Sequence, residues 1–209
     1  MTSTQPLPVH MVVTQGGLAA VAADLAKQRQ VALDTESNGF FRYPEQVCLL
    51  QFATESNIYL VDPLAIGDVS PLGPVFEDER IEKIMHGADY DIRSLDREWG
   101  YRLRNLYDTG VAAHFIGMDR LGLGVLIEEL LGITVAKEKR LQRADWSVRP
   151  LSEEALAYAA EDVAHLLDLR RVLTEKLTTL ERHAWVTEEH GRLTEVRYSP
   201  QDQNRRSCP

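Results

Sequence analysis

The apolar residues of this 209-residue chain change their pattern near its middle. In the first half they form short runs rich in strand-forming side chains, with helix-spaced segments between them, and from Thr109 onward the spacing is helical. The strand candidates lie at 9–14, 31–36, 47–52, 58–61, 81–85 and 106–107. Strands that alternate with helices and give way to helices predict an α/β or α+β sheet flanked by helices.

Three helices stand out in the sequence. Helical apolar spacing occurs at 18–27 and 88–99, and the longest helix is predicted after Pro150. Ser152 is a suitable N-cap for this last helix, and the two glutamates that follow it suit the positive end of the helix dipole. Its apolar residues recur at helical spacing as far as Leu173, which predicts one continuous helix.

Several classes of protein are not supported by the sequence. Residues 1–10 lack the charged and apolar regions of a secretory signal, and the apolar stretch 16–26 is too short to span a bilayer. Cys48 lies in an apolar run and Cys208 in the polar end of the chain, which indicates neither a disulfide framework nor a zinc site. The expectation is a cytoplasmic protein without a membrane partner.

The net charge of −9 argues at first against a polyanionic partner. Salt screens exposed charges beyond roughly 8 Å, however, so local patches decide. Segment 137–143 carries four basic residues and one acidic residue, and Trp146 follows closely. A basic stretch beside an aromatic ring suits attraction of a phosphate backbone with base stacking, although a solvated loop has the same composition. The candidate contacts are Lys139, Arg140, Gln142 and Trp146.

Two carboxylates, Asp34 and Glu36, lie two residues apart on a predicted strand. Strand side chains alternate, so both point to the same face. Adjacent carboxylates repel each other, and a divalent metal removes that conflict. Taken alone, an Asp-x-Glu pair is more often a solvated strand end.

Tyr158 and Asp162 lie four residues apart on the predicted long helix and share one of its faces. Apolar residues on the same face indicate that it meets the core, where an aspartate needs a partner or a metal. The alternative interpretation is a solvated polar stripe.

A third acidic position follows the strand predicted at 81–85. Asp89 and Asp91 both fall near the start of a helix, where a carboxylate is stable without any metal, and their spacing alone does not choose between them. His86 in the same segment is interpreted as a hydrogen-bonded structural residue rather than a metal ligand, with contact to a substrate as the alternative.

These pieces together resemble the three exonuclease motifs of the DEDD family, Tyr subclass, and most closely those of ribonuclease D. The matching motifs are Asp34-Thr35-Glu36, His86-x4-Asp91 and Tyr158-x3-Asp162, with the segment 144–152 before the third. The resemblance covers roughly residues 10–175. It implies a ribonuclease-H-like mixed sheet flanked by helices, and it selects Asp91 over Asp89.

The resemblance also implies a mechanism. Asp34, Glu36, Asp91 and Asp162 would hold two divalent metals, Mg²⁺ or Mn²⁺, about 3.5–4 Å apart, and Tyr158 would position the attacking water. The implied activity is 3'→5' exonucleolytic release of nucleoside 5'-monophosphates from a single-stranded 3' end, with RNA favoured over DNA and a role in RNA processing or turnover.

The resemblance divides the chain into an exonuclease domain at 1–180 and a C-terminal helical extension with a polar tail at 181–209, without a complete helicase-and-ribonuclease-D C-terminal domain. Two alternatives remain open. A 3'→5' DNA exonuclease of proofreading or Werner type has the same site residues. A catalytically inactive nucleic-acid-binding module is disfavoured, because all four carboxylates and the tyrosine are present.

Overall fold

The computed structural model describes residues 6–39, 41–42, 44–135 and 140–199, and within them it contains a six-stranded mixed sheet in the order β1-β4-β3-β2-β5-β6. The strands are β1 (Val9–Val12), β2 (Gln30–Ser37), β3 (Val47–Ala53), β4 (Ile58–Val61), β5 (Glu82–Met85) and β6 (Leu106–Asp108). Strand β3 is antiparallel to β2 and β4, whereas the other neighbours are parallel. The predicted α/β class with a mixed sheet is confirmed.

Helices connect and cover the strands. They are α1 (Gln15–Leu25), α2 (Pro63–Ile66), α3 (Gly73–Glu77), α4 (Asp89–Trp99), α5 (Thr109–Phe115), α6 (Leu123–Leu126), α7 (Glu153–Ala164), α8 (Leu166–Thr179) and α9 (His183–Thr194). The side chains of Thr14, Asp62, Asp108 and Ser152 cap the first turns of α1, α2, α5 and α7. Each cap satisfies backbone N–H groups that have no partner within the helix.

The sheet separates two apolar cores. On one side α7 and α8 contribute Ala159, Val163 and Leu173, while Ala32 comes from β2. On the other side α1, α3 and α4 pack against alternate residues of the same strand, such as Leu33. Because strand side chains alternate, β2 presents successive residues to different helices.

The prediction of one continuous helix from Ser152 to Leu173 is wrong. The chain leaves helical geometry at His165, where φ is −110° and ψ is 0°, and the helical pattern divides into α7 and α8. The longest described helix is consequently α8, with 14 residues. Helix α7 packs on β2, β3 and β4, whereas α8 reaches β5 and α5, so the break lets one apolar pattern cover a wider area of the sheet.

Helix α9 packs against β6 and α5. It buries Val186 and His190, and the ring Nε2 of His190 accepts a hydrogen bond from the backbone N–H of Asp108 at 3.0 Å. Residues 200–209 of the predicted polar tail lie outside the described residues. Among the described helices, none combines the length and the apolar character needed to cross a membrane.

Candidate metal-dependent nuclease site

Three carboxylates meet at one end of the sheet. Asp34 and Glu36 lie near the end of β2 on the face covered by α7, and Asp162 projects from α7. One oxygen from each of the three lies within 4.8 Å of the others. The i, i+2 spacing on a strand and the position on the facing helix together produce this cluster, as the sequence predicted for these three residues.

The fourth carboxylate, Asp91, reaches the same cleft from α4 but is not part of the group of three. Its Oδ1 accepts a hydrogen bond from the Thr35 hydroxyl, and the side chain is buried. Asp89 instead forms an exposed salt bridge with Arg93 at 2.9 Å. The structure therefore separates the two acids that spacing alone left equivalent and places Asp91 in the cleft.

Burial is the largest influence on all four carboxyl groups. It raises the pKa of Asp34 and of Glu36 well above the usual range, and the negative charges of their neighbours raise both further. Burial likewise raises the pKa of Asp91 to about 7 and that of Asp162 to about 7, although hydrogen bonds from Thr35 and Tyr158 oppose the shift. A site with these pKa values gains stability from a cation.

Tyr158 lies one helical turn before Asp162. Burial raises the pKa of its phenol, and the charges of Asp162, Glu36 and Asp34 raise it further. The side chain of Gln142 lowers the pKa of the phenol, but not enough to cancel this rise. The phenol therefore stays protonated at neutral pH and acts as a hydrogen-bond donor rather than as a base.

The predicted substrate contacts are distributed unevenly. His86 and Gln142 both line the cleft, and the His86 ring Nδ1 lies 2.9 Å from Thr109 Oγ1. Arg140 is exposed and forms a salt bridge of 2.6 Å with Glu154 at the start of α7. Lys139 lies outside the described residues.

Trp146 does not match its predicted role. The side chain is only 1% exposed and packs in the core beside Tyr158, with 6.1 Å between the ring centroids. A base needs an exposed ring face for stacking. The expectation that Trp146 stacks on a base is therefore wrong. The buried ring packs against Tyr158 instead.

The structure adds residues that spacing did not identify. Ser37, Glu45 and Tyr90 line the same cleft, which has a volume of about 730 Å³. Ser37 follows Glu36 on β2, and strand alternation turns its side chain to the other face, towards Tyr90 on α4. Glu45 lies between β2 and β3 and carries no motif that marks it in the sequence.

The donor set fits a hard divalent cation. All four candidate ligands are carboxylates, and Mg²⁺ and Mn²⁺ prefer oxygen ligands. In the described part of the chain, the cluster of Asp34, Glu36 and Asp162 has no lysine or arginine ion pair. A half-buried negative cluster without an internal counter-charge is what a bound metal would stabilise.

A mixed sheet with carboxylates gathered at the end of its central strand, beside a helix that supplies Tyr and Asp, defines the class of metal-dependent nucleases. Residues 9–178 match the 3'-5' exonuclease family. The chain belongs to that family, whose members use divalent metals.

Known relatives agree with this assignment. The protein RRP6-like 3 of Arabidopsis thaliana is 39% identical over 170 residues, which are 81% of this chain and 19% of that protein. The catalytic core of RRP6 from Trypanosoma brucei superposes with a TM-score of 0.87 at 31% identity, over 95% of this chain and 54% of that one. Escherichia coli RNase D, described as an exoribonuclease involved in structured RNA processing, gives a TM-score of 0.82 at 30% identity, over 90% and 50%. The chain thus spans from a fifth to about half of these relatives.

Proposed function

We propose that this chain is a 3'→5' exoribonuclease that hydrolyses the 3'-terminal phosphodiester of single-stranded RNA and releases nucleoside 5'-monophosphates. The observation that carries the proposal is the cluster of Asp34, Glu36 and Asp162, with Asp91 and Tyr158 in the same cleft. The choice of RNA is supported by the relatives, one of which is named as an exoribonuclease in structured RNA processing.

Asp34, Glu36, Asp91 and Asp162 would hold two divalent metals, Mg²⁺ or Mn²⁺. When bound, such a pair lowers the pKa of a water molecule and stabilises the charge that develops on the leaving 3' oxygen. The fold places all four carboxylates in one cleft. The Thr35 hydroxyl donates a hydrogen bond to Asp91 and fixes the orientation of its side chain.

Tyr158 is assigned to orienting the water molecule that attacks the phosphorus. Its phenol keeps its proton, because burial and the adjacent carboxylates raise its pKa. Trp146 packs against the ring of Tyr158 and restricts its motion. A held donor of this kind lowers the entropic cost of aligning the nucleophile.

We also propose that residues 1–180 form the exonuclease domain and that residues 181–209 form a helical extension with a polar tail. We further propose that the protein acts in RNA processing or turnover in the cytoplasm.

Digestion of labelled oligonucleotides tests the proposal. RNA and DNA of the same sequence, labelled at either end, are incubated with Mg²⁺ and in a parallel reaction with EDTA. We expect a 5'-labelled RNA ladder that shortens by single nucleotides, release of labelled mononucleotide from the 3' end, and no product in EDTA. Internal cleavage, degradation of DNA alone, or equal activity in EDTA would refute the proposal.

A further inference from the structure

The side of the cleft nearest α4 carries a chain of three hydrogen-bonding groups that the carboxylate site does not use. Ser37 Oγ lies 2.8 Å from the Tyr90 hydroxyl, and that hydroxyl donates to Glu45 Oε2 at 2.7 Å. All three residues line the cleft.

The direction of these hydrogen bonds follows from the number of hydrogens available. Arg97 forms a salt bridge with the other carboxylate oxygen of Glu45 at 2.5 Å, which favours the ionised, acceptor-only form. Tyr90 has a single hydroxyl hydrogen, which goes to Glu45. Ser37 must therefore donate to Tyr90, and its Oγ offers only acceptor lone pairs to any further partner.

The position of this acceptor is fixed by β2. Asp34 and Glu36 face α7, whereas the intervening Thr35 and the following Ser37 face the first turn of α4, where they contact Asp91 and Tyr90. Consecutive α-carbons lie 3.8 Å apart, so Ser37 is immediately beside a proposed metal ligand. Ser37 also lines the same cleft as the four carboxylates, so a nucleotide held at the metal site shares that cleft with this acceptor.

Glycine at position 39 is part of this arrangement. A β-carbon at Gly39 would lie 2.2 Å from Glu45 Oε2, far inside contact distance. Only glycine allows the Glu45 carboxylate to occupy the position from which it accepts the Tyr90 hydrogen.

We propose that Ser37 Oγ accepts a hydrogen bond from the 2'-hydroxyl of the 3'-terminal ribose, so that Ser37, Tyr90 and Glu45 favour RNA over DNA. This inference rests on the proposed exonuclease function. Phosphate oxygens cannot donate a hydrogen bond, whereas sugar hydroxyls are donors that every nucleotide shares, whatever its base. Of these, the 2'-hydroxyl is the group that distinguishes RNA from DNA.

The test uses RNA oligonucleotides that are identical except at the terminal sugar, which carries a 2'-hydroxyl, a hydrogen or a fluorine. Fluorine keeps acceptor character but cannot donate. We expect kcat/KM of the wild type to favour the hydroxyl over both analogues by up to about tenfold, the range of one hydrogen bond. Ser37→Ala and Tyr90→Phe should reduce this preference towards one, whereas Ser37→Thr should retain it.

Tyr59→Phe is the matched control, because the Tyr59 hydroxyl also donates to a carboxylate, that of Asp24, at 2.8 Å and away from the cleft. Its preference should equal that of the wild type. Binding of a non-cleavable RNA in Mg²⁺, measured by fluorescence anisotropy with the same terminal sugars, should give the same ranking without catalysis.

The outcomes separate the two proposals. In one outcome the wild type shortens RNA normally and yet shows no preference for the terminal sugar, and in another Ser37→Ala leaves that preference unchanged. Either result overturns this inference and leaves the exonuclease function intact. A preference that follows the penultimate sugar also overturns it. Failure of the wild type to shorten any RNA overturns both. Thermal melting identifies a variant that does not fold. If Ser37→Ala does not fold, the terminal-sugar preference of Tyr90→Phe tests the inference in its place.

Discussion

Asp62 and Asp162 both have a pKa that burial raises, but the surroundings of the two carboxylates differ. Asp62 is 2% exposed and receives hydrogen bonds from the N–H groups of Leu64 and Ala65 and from the guanidinium of Arg149. Although burial raises its pKa, these donors lower it more, and the net pKa lies below the usual value. Asp162, in the cleft, has a pKa raised to about 7 by burial.

The comparison shows that burial alone does not determine the charge of an aspartate. The chain supplies Asp62 with a cation and two amides, whereas within the described residues it supplies no ion pair to Asp34, Glu36 or Asp162. The first arrangement stabilises the fold, and the second requires a cation from outside.

The largest effect is expected at the cleft carboxylates. Asp34→Ala, Glu36→Ala, Asp91→Asn and Asp162→Ala should each lower single-turnover hydrolysis of RNA by more than about a hundredfold, the upper loss typical of outer-shell metal partners. The fold should persist by circular dichroism. Asp89→Asn is the matched control, since Asp89 is paired with Arg93 outside the cleft. Wild-type turnover in a folded variant would remove that residue from the site.

At Asp62 the expected effect is on stability rather than on chemistry. Asp62→Asn should lower the free energy of unfolding by about 2 kcal/mol, because it removes charge from hydrogen bonds to a buried group. The folded-state pKa is lowered, so the contribution of Asp62 is present above the ordinary pKa and is lost as pH falls through the folded value. Urea unfolding at pH 7 measures the difference in the free energy of unfolding between the variant and the wild type.

Asp168→Asn provides the comparison for Asp62→Asn, because Asp168 forms an exposed salt bridge with Arg171 at 3.0 Å. Such pairs contribute less than about 1 kcal/mol. If the two variants lose the same free energy of unfolding, the buried pair contributes no more to stability than the exposed pair does.

Tyr158→Phe should have a smaller effect on chemistry than loss of a carboxylate. The rate should fall by about ten- to a hundredfold, the range that follows from misplacing a reacting group. Mn²⁺ affinity should change little, since the phenol is assigned to water and not to metal. Quench-flow kinetics with a parallel Mn²⁺ titration separates the two quantities, and an unchanged rate would exclude the assigned role.

The smallest effect is expected at Arg140, where the structure weakens the original expectation. An unpaired arginine that neutralises one phosphate would change the slope of log affinity against log salt by about 0.7. Arg140 is already paired with Glu154, so Arg140→Ala should change the slope by less than that. Arg192→Ala is matched, with an exposed salt bridge of 2.6 Å to Glu188 on α9. Identical slopes for both variants would place Arg140 outside the binding surface.

Much of the fold follows from local patterns. The strand at 58–61 has the predicted limits, and α4 begins one residue after the predicted start at 88. The carboxylate cluster was predictable for the same reason, because strand and helix periods decide which side chains share a face. The division at His165 was not, since neither proline nor glycine marks it in the sequence.

Two other features depend on packing between distant segments. A tryptophan beside basic residues has the same local sequence whether its ring is exposed or buried, and only the contacts of the folded chain place Trp146 behind Tyr158. Glu45 enters the cleft through Tyr90 and Arg97 on α4, about fifty residues away in the chain. No local period encodes such a contact.

Thermal unfolding of the wild type and of Asp162→Asn tests directly whether the cleft carboxylates depend on a cation from outside. A carboxyl with a raised folded pKa destabilises the metal-free protein above that pKa and has no effect once both states are protonated. In EDTA at pH 8 the variant should therefore melt higher, by about 2–4 °C for each kcal/mol. At about pH 3, below the ordinary aspartate pKa of about 3.9, the difference should vanish. With Mg²⁺ at pH 8 the order should reverse. A wild type that is the more stable protein in EDTA at pH 8, or that does not respond to Mg²⁺, would contradict the account.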